Sequence, residues 1–246
     1  MANDFSDLER AAVYKAIMLR RDIRRQFEPD PIPRIVLRRI LSAAHHAGSV
    51  GFMQPWDFIL VEDRATRQRV LDSFLRERNR SAGFYEGARK ELFLSLKLEG
   101  ILESPLNLCV TCDRSRGGPH VLGRSTILET DLYSTCCAIQ NLWLAGRAEG
   151  IGVGWVSILD PQQLSATLGL PQHVVPVAYL CMGYVREFPD SPDLQRAGWR
   201  QRLPLSELVH WDRWDNRLDM YCTADDRGKA MASETSWLNS QRRRRR

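Results

Sequence analysis

The chain has no apolar run of membrane-spanning length, no internal repeat and no Gly/Ser-rich linker. These absences exclude a bilayer-crossing helix and a chain split into flexibly joined modules. The amino terminus reads MANDFSDLER, polar and acidic, unlike a secretory signal, which is basic and then apolar, so none is expected. An excess of basic charge is lacking once the end of the chain is set aside. Five arginines, 242–246, account for the whole net charge of +5. That run has no aromatic interleaving, so it reads as a solvated tail from about 215 onward rather than a nucleic-acid or lipid contact. Cysteine is sparse too: six residues, at 109, 112, 136, 137, 181 and 222, mostly inside apolar runs. Adjacent Cys136 and Cys137 in a helical stretch suit reduced thiols, so a reducing cytoplasm is expected. The Cys109-x-x-Cys112 pair lies within a strand and lacks a second pair at ligand spacing. It reads as two thiols on opposite strand faces, not as a metal or redox site.

What remains is an ordinary globular composition, 43% hydrophobic and 26% charged, with ample length for a core. The stretch from Asp131 to Ile158 organises it. Asp131 is placed to cap a helix. From Leu132 to Ala148 apolar residues fall on nearly every side, so the helix is expected to be buried by core or by a partner. Gly150 supplies the left-handed residue that ends it. The strand that follows, Ile151 to Ile158, has gaps at Gly152 and Gly154, with the hydroxyl of Ser157 just beyond. Glycine inside a strand marks close approach of a ligand or of another backbone. Both readings are open at this point: a flat ligand against the strand with Ser157 facing it, or tight packing with Ser157 a satisfied core hydroxyl. A dinucleotide loop is excluded, because Trp155 stands where the last glycine of G-x-G-x-x-G belongs and the order is helix into strand.

Elsewhere, Ser6-Asp7-Leu8-Glu9 is a capping box opening a first helix with Ala12, Val13, Ala16 and Ile17 as its apolar face. It runs into Arg20-Arg21-Asp22-Ile23-Arg24-Arg25 and a proline-braked exit, either a solvated charged face or an anion site. A second helix over Ile35–Ala44 ends in His45-His46, whose adjacent side chains do not share a face and so argue against a two-histidine metal site. Residues 64–97 are highly charged, helical with breaks near Gly83 and Gly87, and short of apolar anchors, so they read as a lid. Strands are expected at 58–61, 106–111 and 174–182. Helices alternating with strands around one sheet give a single α+β domain over 1–214.

Several segments together resemble the FMN-dependent nitroreductase superfamily, and within it the 5,6-dimethylbenzimidazole synthases: RRDIRRQF (20–27), SVGFMQPWDF (49–58), SLKLEGI (95–101), the stretch 131–158 and GWRQRLPL (198–205). Asp22, together with Gly-Trp-Val-Ser at 154–157, carries the resemblance to the synthases. The resemblance implies an α+β sandwich with a mixed or antiparallel sheet, dimerising through the long helix, with FMN at each subunit interface. It implies that Arg20, Arg21 and Arg24, with Arg200 and Arg202, hold the ribityl chain and phosphate, and that Asp22 and Ile23 line the flavin. Ser49 would reach the flavin of the neighbouring subunit, and the Gly154 backbone would lie near the ring. Reduced FMN would be the substrate, opened by dioxygen to dimethylbenzimidazole and erythrose 4-phosphate for the lower ligand of cobalamin. A separate flavin reductase would supply it. Asp22 would act as acid and base, staying ionised amid arginines, and Ser157 would hydrogen-bond the flavin. An NAD(P)H-dependent flavin reductase or nitroreductase is the alternative. The chain departs from the family pattern at Gly48, where proline is usual, and over Ile127–Thr130.

Overall fold

The computed structural model describes residues 4–217. The expected domain of 1–214 is divided: one compact unit ends at Trp199 and a second begins at Arg200. In the first, α1 (Asp7–Leu19) and α2 (Arg34–His45) precede β1 (Trp56–Val61), α3 (Arg64–Ala82) and α4 (Gly87–Ser95). Then come β2 (Leu106–Asp113), α5 (Thr130–Ala148), β3 (Ile151–Val156), α6 (Pro161–Leu168), β4 (Val174–Tyr184) and the short α7 (Asp193–Arg196). The strands form one antiparallel sheet in the order β1-β2-β4-β3.

Alternation along the strands sorts the core into two layers. Leu108, Val110, Leu180 and Met182 face α2 and α5, joining Ile40, Ala44, Ile139 and Leu142. Cys109, Tyr179 and Cys181 face the other way, with Val70 and Phe74 of α3 and Leu164 of α6. The sheet is therefore the filling of an α+β sandwich. Cys109 and Cys112 are both buried in β2, and Cys109 packs in the α3/α6 layer. Burial pushes the Cys109 thiol up to about 12, so it is inert as a nucleophile. No group of three metal-ligating side chains occurs among the described residues, and no described helix is long and apolar enough to cross a membrane.

Two expectations are corrected here. Asp131 does not cap α5: the cap position is Glu129, and Asp131 is a fully buried first-turn residue held by Arg114 and Arg124, each at 3.1 Å. The segment 64–97 is not short of anchors, because α3 buries Val70 and Phe74 to 2% and 1% exposure. Its Arg67 is buried as well, donating to the carbonyls of Ile101 and Ser104. Only α4, with Phe93 as its one buried residue, is thinly attached. The helix α5 was expected to be covered by core or by a partner, and the chain itself covers one face. Tyr133, Cys136, Cys137 and Gln140 point outward. The capping box at Ser6 and the left-handed Gly150 are present as read.

In the second unit, His210 stacks on Trp214 at 4.6 Å and the Trp211 amide donates to the Asn216 carbonyl. The arginine run 242–246 and Cys222 lie outside the described residues.

Candidate active site

The end of α1 leaves carbonyls that the helix cannot satisfy internally, and α5 supplies the donors. Arg147 Nε donates to Leu19 O at 3.1 Å, and Trp143 Nε1 donates to Arg21 O at 3.2 Å. Arg20 turns the chain into extended geometry. From there it runs alongside β3: Asp22 forms a parallel bridge with Val153, and the Ile23 amide donates to Val153 O at 3.0 Å.

The two strand glycines exist for this approach. A Cβ on Gly154 would fall on the Ile23 carbonyl, and one on Gly152 would meet the Ile23 side chain at 3.1 Å and Val185 closer still. The Gly154 gap is filled by the Ile23 backbone and the Gly152 gap by the Ile23 and Val185 side chains, not by a flat ligand. That corrects the ligand reading of the glycines while bringing Asp22 to the same strand.

Asp22 is fixed at both carboxylate oxygens. Oδ1 accepts from the Trp155 amide at 3.0 Å, and Oδ2 pairs with Arg24 Nη2. Burial raises the carboxyl above its usual range; Arg24, the Trp155 amide and Arg20 oppose that, and Asp193 adds to it. The arginines expected to keep it ionised are thus opposed by burial, and desolvation is the larger of the two influences.

The arginines divide into distinct roles. Arg24 is 9% exposed, and its Nε has no acceptor among the described residues. A buried, charged donor without an acceptor fits an anionic or carbonyl group brought by a ligand. The Arg20 guanidinium lies 4.7 Å from the Trp143 ring centre, and Trp143 lies 6.4 Å from Trp155. Arg21, expected among the phosphate ligands, instead donates to the carbonyls of Met18, Arg20 and Asp190. It ties the segment before α7 to the bridge.

Ser157 follows the end of β3 and is exposed, so it is not a satisfied core hydroxyl. It stands two residues beyond Trp155, about 7 Å of strand. Ser49 is elsewhere: its Oγ accepts from the Gln54 amide at 3.1 Å, beside Val50, whose amide donates to Ser134. Ser134 precedes Trp143 by nine positions on α5, roughly 13 Å of helix rise. The chain thus brings together Arg20, Asp22, Ile23, Arg24, Gly154 and the approach to Ser157, and leaves Ser49 apart. Arg200 and Arg202 are exposed residues of the second unit.

Trp143, Arg147, Trp155 and Asp193 were not singled out by the sequence. The tryptophan indole N–H groups, each needing an acceptor once buried, were the available signal for Trp143. Nothing in the sequence marked Asp193.

The sequence pattern of the nitroreductase family matches residues 17–184. The chain belongs to the nitroreductase family. Within this family it is 45% identical over 185 residues to 5,6-dimethylbenzimidazole synthase of Rhodospirillum rubrum, covering 75% of this chain and 87% of that protein. It is 39% identical over 210 residues to the enzyme of the same name from Rhodobacter capsulatus, covering 85% and 99%. Among solved structures of the family fold, an iodotyrosine deiodinase bound to FMN and 3-iodo-L-tyrosine superposes with a TM-score of 0.64. That match covers 82% of this chain and all of the other at 21% identity, a likeness of fold alone.

Proposed function

We propose that this chain is a 5,6-dimethylbenzimidazole synthase that consumes reduced FMN and dioxygen, releasing dimethylbenzimidazole and erythrose 4-phosphate. The observation that carries this reading is Asp22. A carboxyl pinned between a strand amide and a buried arginine, and raised by burial, is suited to giving and then retaking a proton. The relatives that share most of the sequence bear the synthase name.

Reduced FMN supplies both the electrons and the carbon skeleton when it binds. Arg24 Nε is the buried donor awaiting a flavin acceptor, and Arg20 supplies positive charge for the phosphate. Asp22 exchanges a proton with the bound flavin, and its carboxylate form is stabilised by Arg24 and the Trp155 amide. Ser157, exposed at the end of the same strand, offers a hydroxyl to the flavin. Ser49 serves the flavin of a second copy, which is consistent with its distance along α5 from Asp22. The outward face of α5, with Tyr133, Cys136 and Cys137, is the surface through which a homodimer forms. A separate reductase delivers the reduced flavin, and a reducing cytoplasm keeps the free thiols as they are.

The test is to give the protein FMN reduced without oxygen, admit air and look for dimethylbenzimidazole by chromatography. Its formation, and its loss in Asp22→Asn, are expected. NADH oxidation that leaves all FMN intact would point to a reductase instead.

A further inference from the structure

The segment that carries Arg24 rests on a loop, and that loop is held by a buried polar cluster with no part in the chemistry described above. Phe27, three residues past Arg24, bridges to Val185. Its ring is wedged between two glycines: a Cβ on Gly100 would meet the ring at 2.8 Å, and one on Gly183 would meet it at 3.2 Å. The same Gly100 Cβ would lie 3.2 Å from the Arg24 carbonyl. Gly100 is buried and does not occupy the left-handed region, so contact with Phe27 and Arg24, not backbone conformation, is what demands glycine there.

The loop bearing Gly100 is fixed from beneath. Arg67 donates to Ile101 O through Nε at 3.0 Å and through Nη2, and also to Ser104 O. Asn107 Nδ2 donates to Ile101 O at 3.1 Å and to Ser104 Oγ at 2.8 Å, while Tyr179 Oη donates to Asn107 Oδ1 at 2.9 Å. Arg67, Asn107 and Tyr179 are 8%, 0% and 1% exposed. A guanidinium fork on two carbonyls is a rigid support that a lysine cannot reproduce.

We infer that Gly100 and Arg67 are positioning residues that set the Arg24–Asp22 ion pair through Phe27 and the Arg24 backbone. The inference rests on the reading of Asp22 as the proton-moving group and extends that reading to residues on the opposite side of the sheet's edge segment. Adding a methyl at Gly100 pushes Arg24 away from Asp22. The carboxyl then loses the cation that favours its charged form, and its proton is held to higher pH.

The experiment is a carboxyl-carbon NMR titration of Asp22 in flavin-free protein, with the resonance assigned by its absence in Asp22→Asn. In Gly100→Ala the titration midpoint should rise by about half a pH unit or more. In Gly100→Ala/Phe27→Leu, where the smaller side chain makes room for the methyl, it should return toward that of the parent protein. Arg67→Lys, which keeps the charge and loses the fork, should move it the same way as Gly100→Ala and serves if that variant does not fold. A midpoint that stays in place, or that shifts without returning in the double variant, overturns the inference. A pH profile of dimethylbenzimidazole formation that ignores a shifted midpoint would instead sink the proton role of Asp22 and leave the positioning intact.

Discussion

Asp22 and Ser157 are served by the same strand, and the chain treats them in opposite ways. Asp22 is held by a backbone bridge, a strand amide, an arginine and two glycines that make way for it. Ser157 is exposed at the strand's end and takes part in none of these contacts. The difference shows which half of the site the polypeptide completes alone. A buried carboxyl must be fixed in the folded chain, because an unsupported one is costly. A hydroxyl that answers a ligand can wait in solvent at little cost.

The comparison can be broken most directly at Gly154. Gly154→Ala puts a methyl on the Ile23 carbonyl. It should cost about 3 kcal/mol or more in urea denaturation, in the range of severe overpacking. A small loss there would mean the bridge is loosely held. Arg24→Ala comes next. It strands the Asp22 carboxyl, whose side chain is 29% exposed, at roughly 2 kcal/mol, below the figure for a fully buried pair. Trp143→Phe keeps an aromatic ring but loses part of the buried indole together with the bond to Arg21 O, for at least about 1 kcal/mol by the same measurement.

The pH dependence sharpens the contrast. Burial lifts the Asp22 carboxyl above its ordinary 3.8, so the folded chain binds that proton more tightly than the unfolded chain does. The stability this contributes is complete below 3.8 and is lost as pH rises through the folded-state value, then levels off. The stability of the parent protein minus that of Asp22→Asn should therefore fall with rising pH across that window. A difference that rises instead would place Arg24 ahead of burial. The smallest effect on stability belongs to Ser157→Ala, within about 0.5 kcal/mol, while dimethylbenzimidazole formation drops.

The sequence made the scaffold legible where local rules acted alone. The Ser6 capping box, the Gly150 stop and the alternation of β2 and β4 needed only neighbours in sequence to be read. The glycines of β3 were visible, but what fills their gaps was not: Gly152 and Gly154 look the same whether a flavin or residues 22–23 lie against them. Only the fold brings a segment more than a hundred residues earlier to that place. The apolar anchors of 64–97 were missed for a similar reason. Val70 and Phe74 are two apolar residues in a charged helix, too few to notice by composition, yet both enter the core. Asp131 was legible as a helix-start acid, but its role as the buried partner of Arg114 and Arg124 depends on a loop whose path the residues alone do not reveal. For the candidate site, resemblance proposed Asp22, Arg24 and Ser157, and the fold pairs the first two. The direction of the Asp22 shift depended on burial, which no count of neighbouring arginines reports.

The central claim is that a flavin bound beside Asp22 is destroyed rather than recycled. Its most direct test is a single-turnover mass balance. Protein is loaded with reduced FMN without oxygen, air is admitted, and the FMN recovered and the dimethylbenzimidazole formed are both quantified, for the parent protein and for Asp22→Asn. The account predicts that the parent protein loses FMN mole for mole with dimethylbenzimidazole gained, and that the variant returns its FMN whole and oxidised. Full recovery of FMN from the parent protein, or equal product from Asp22→Asn, would contradict it.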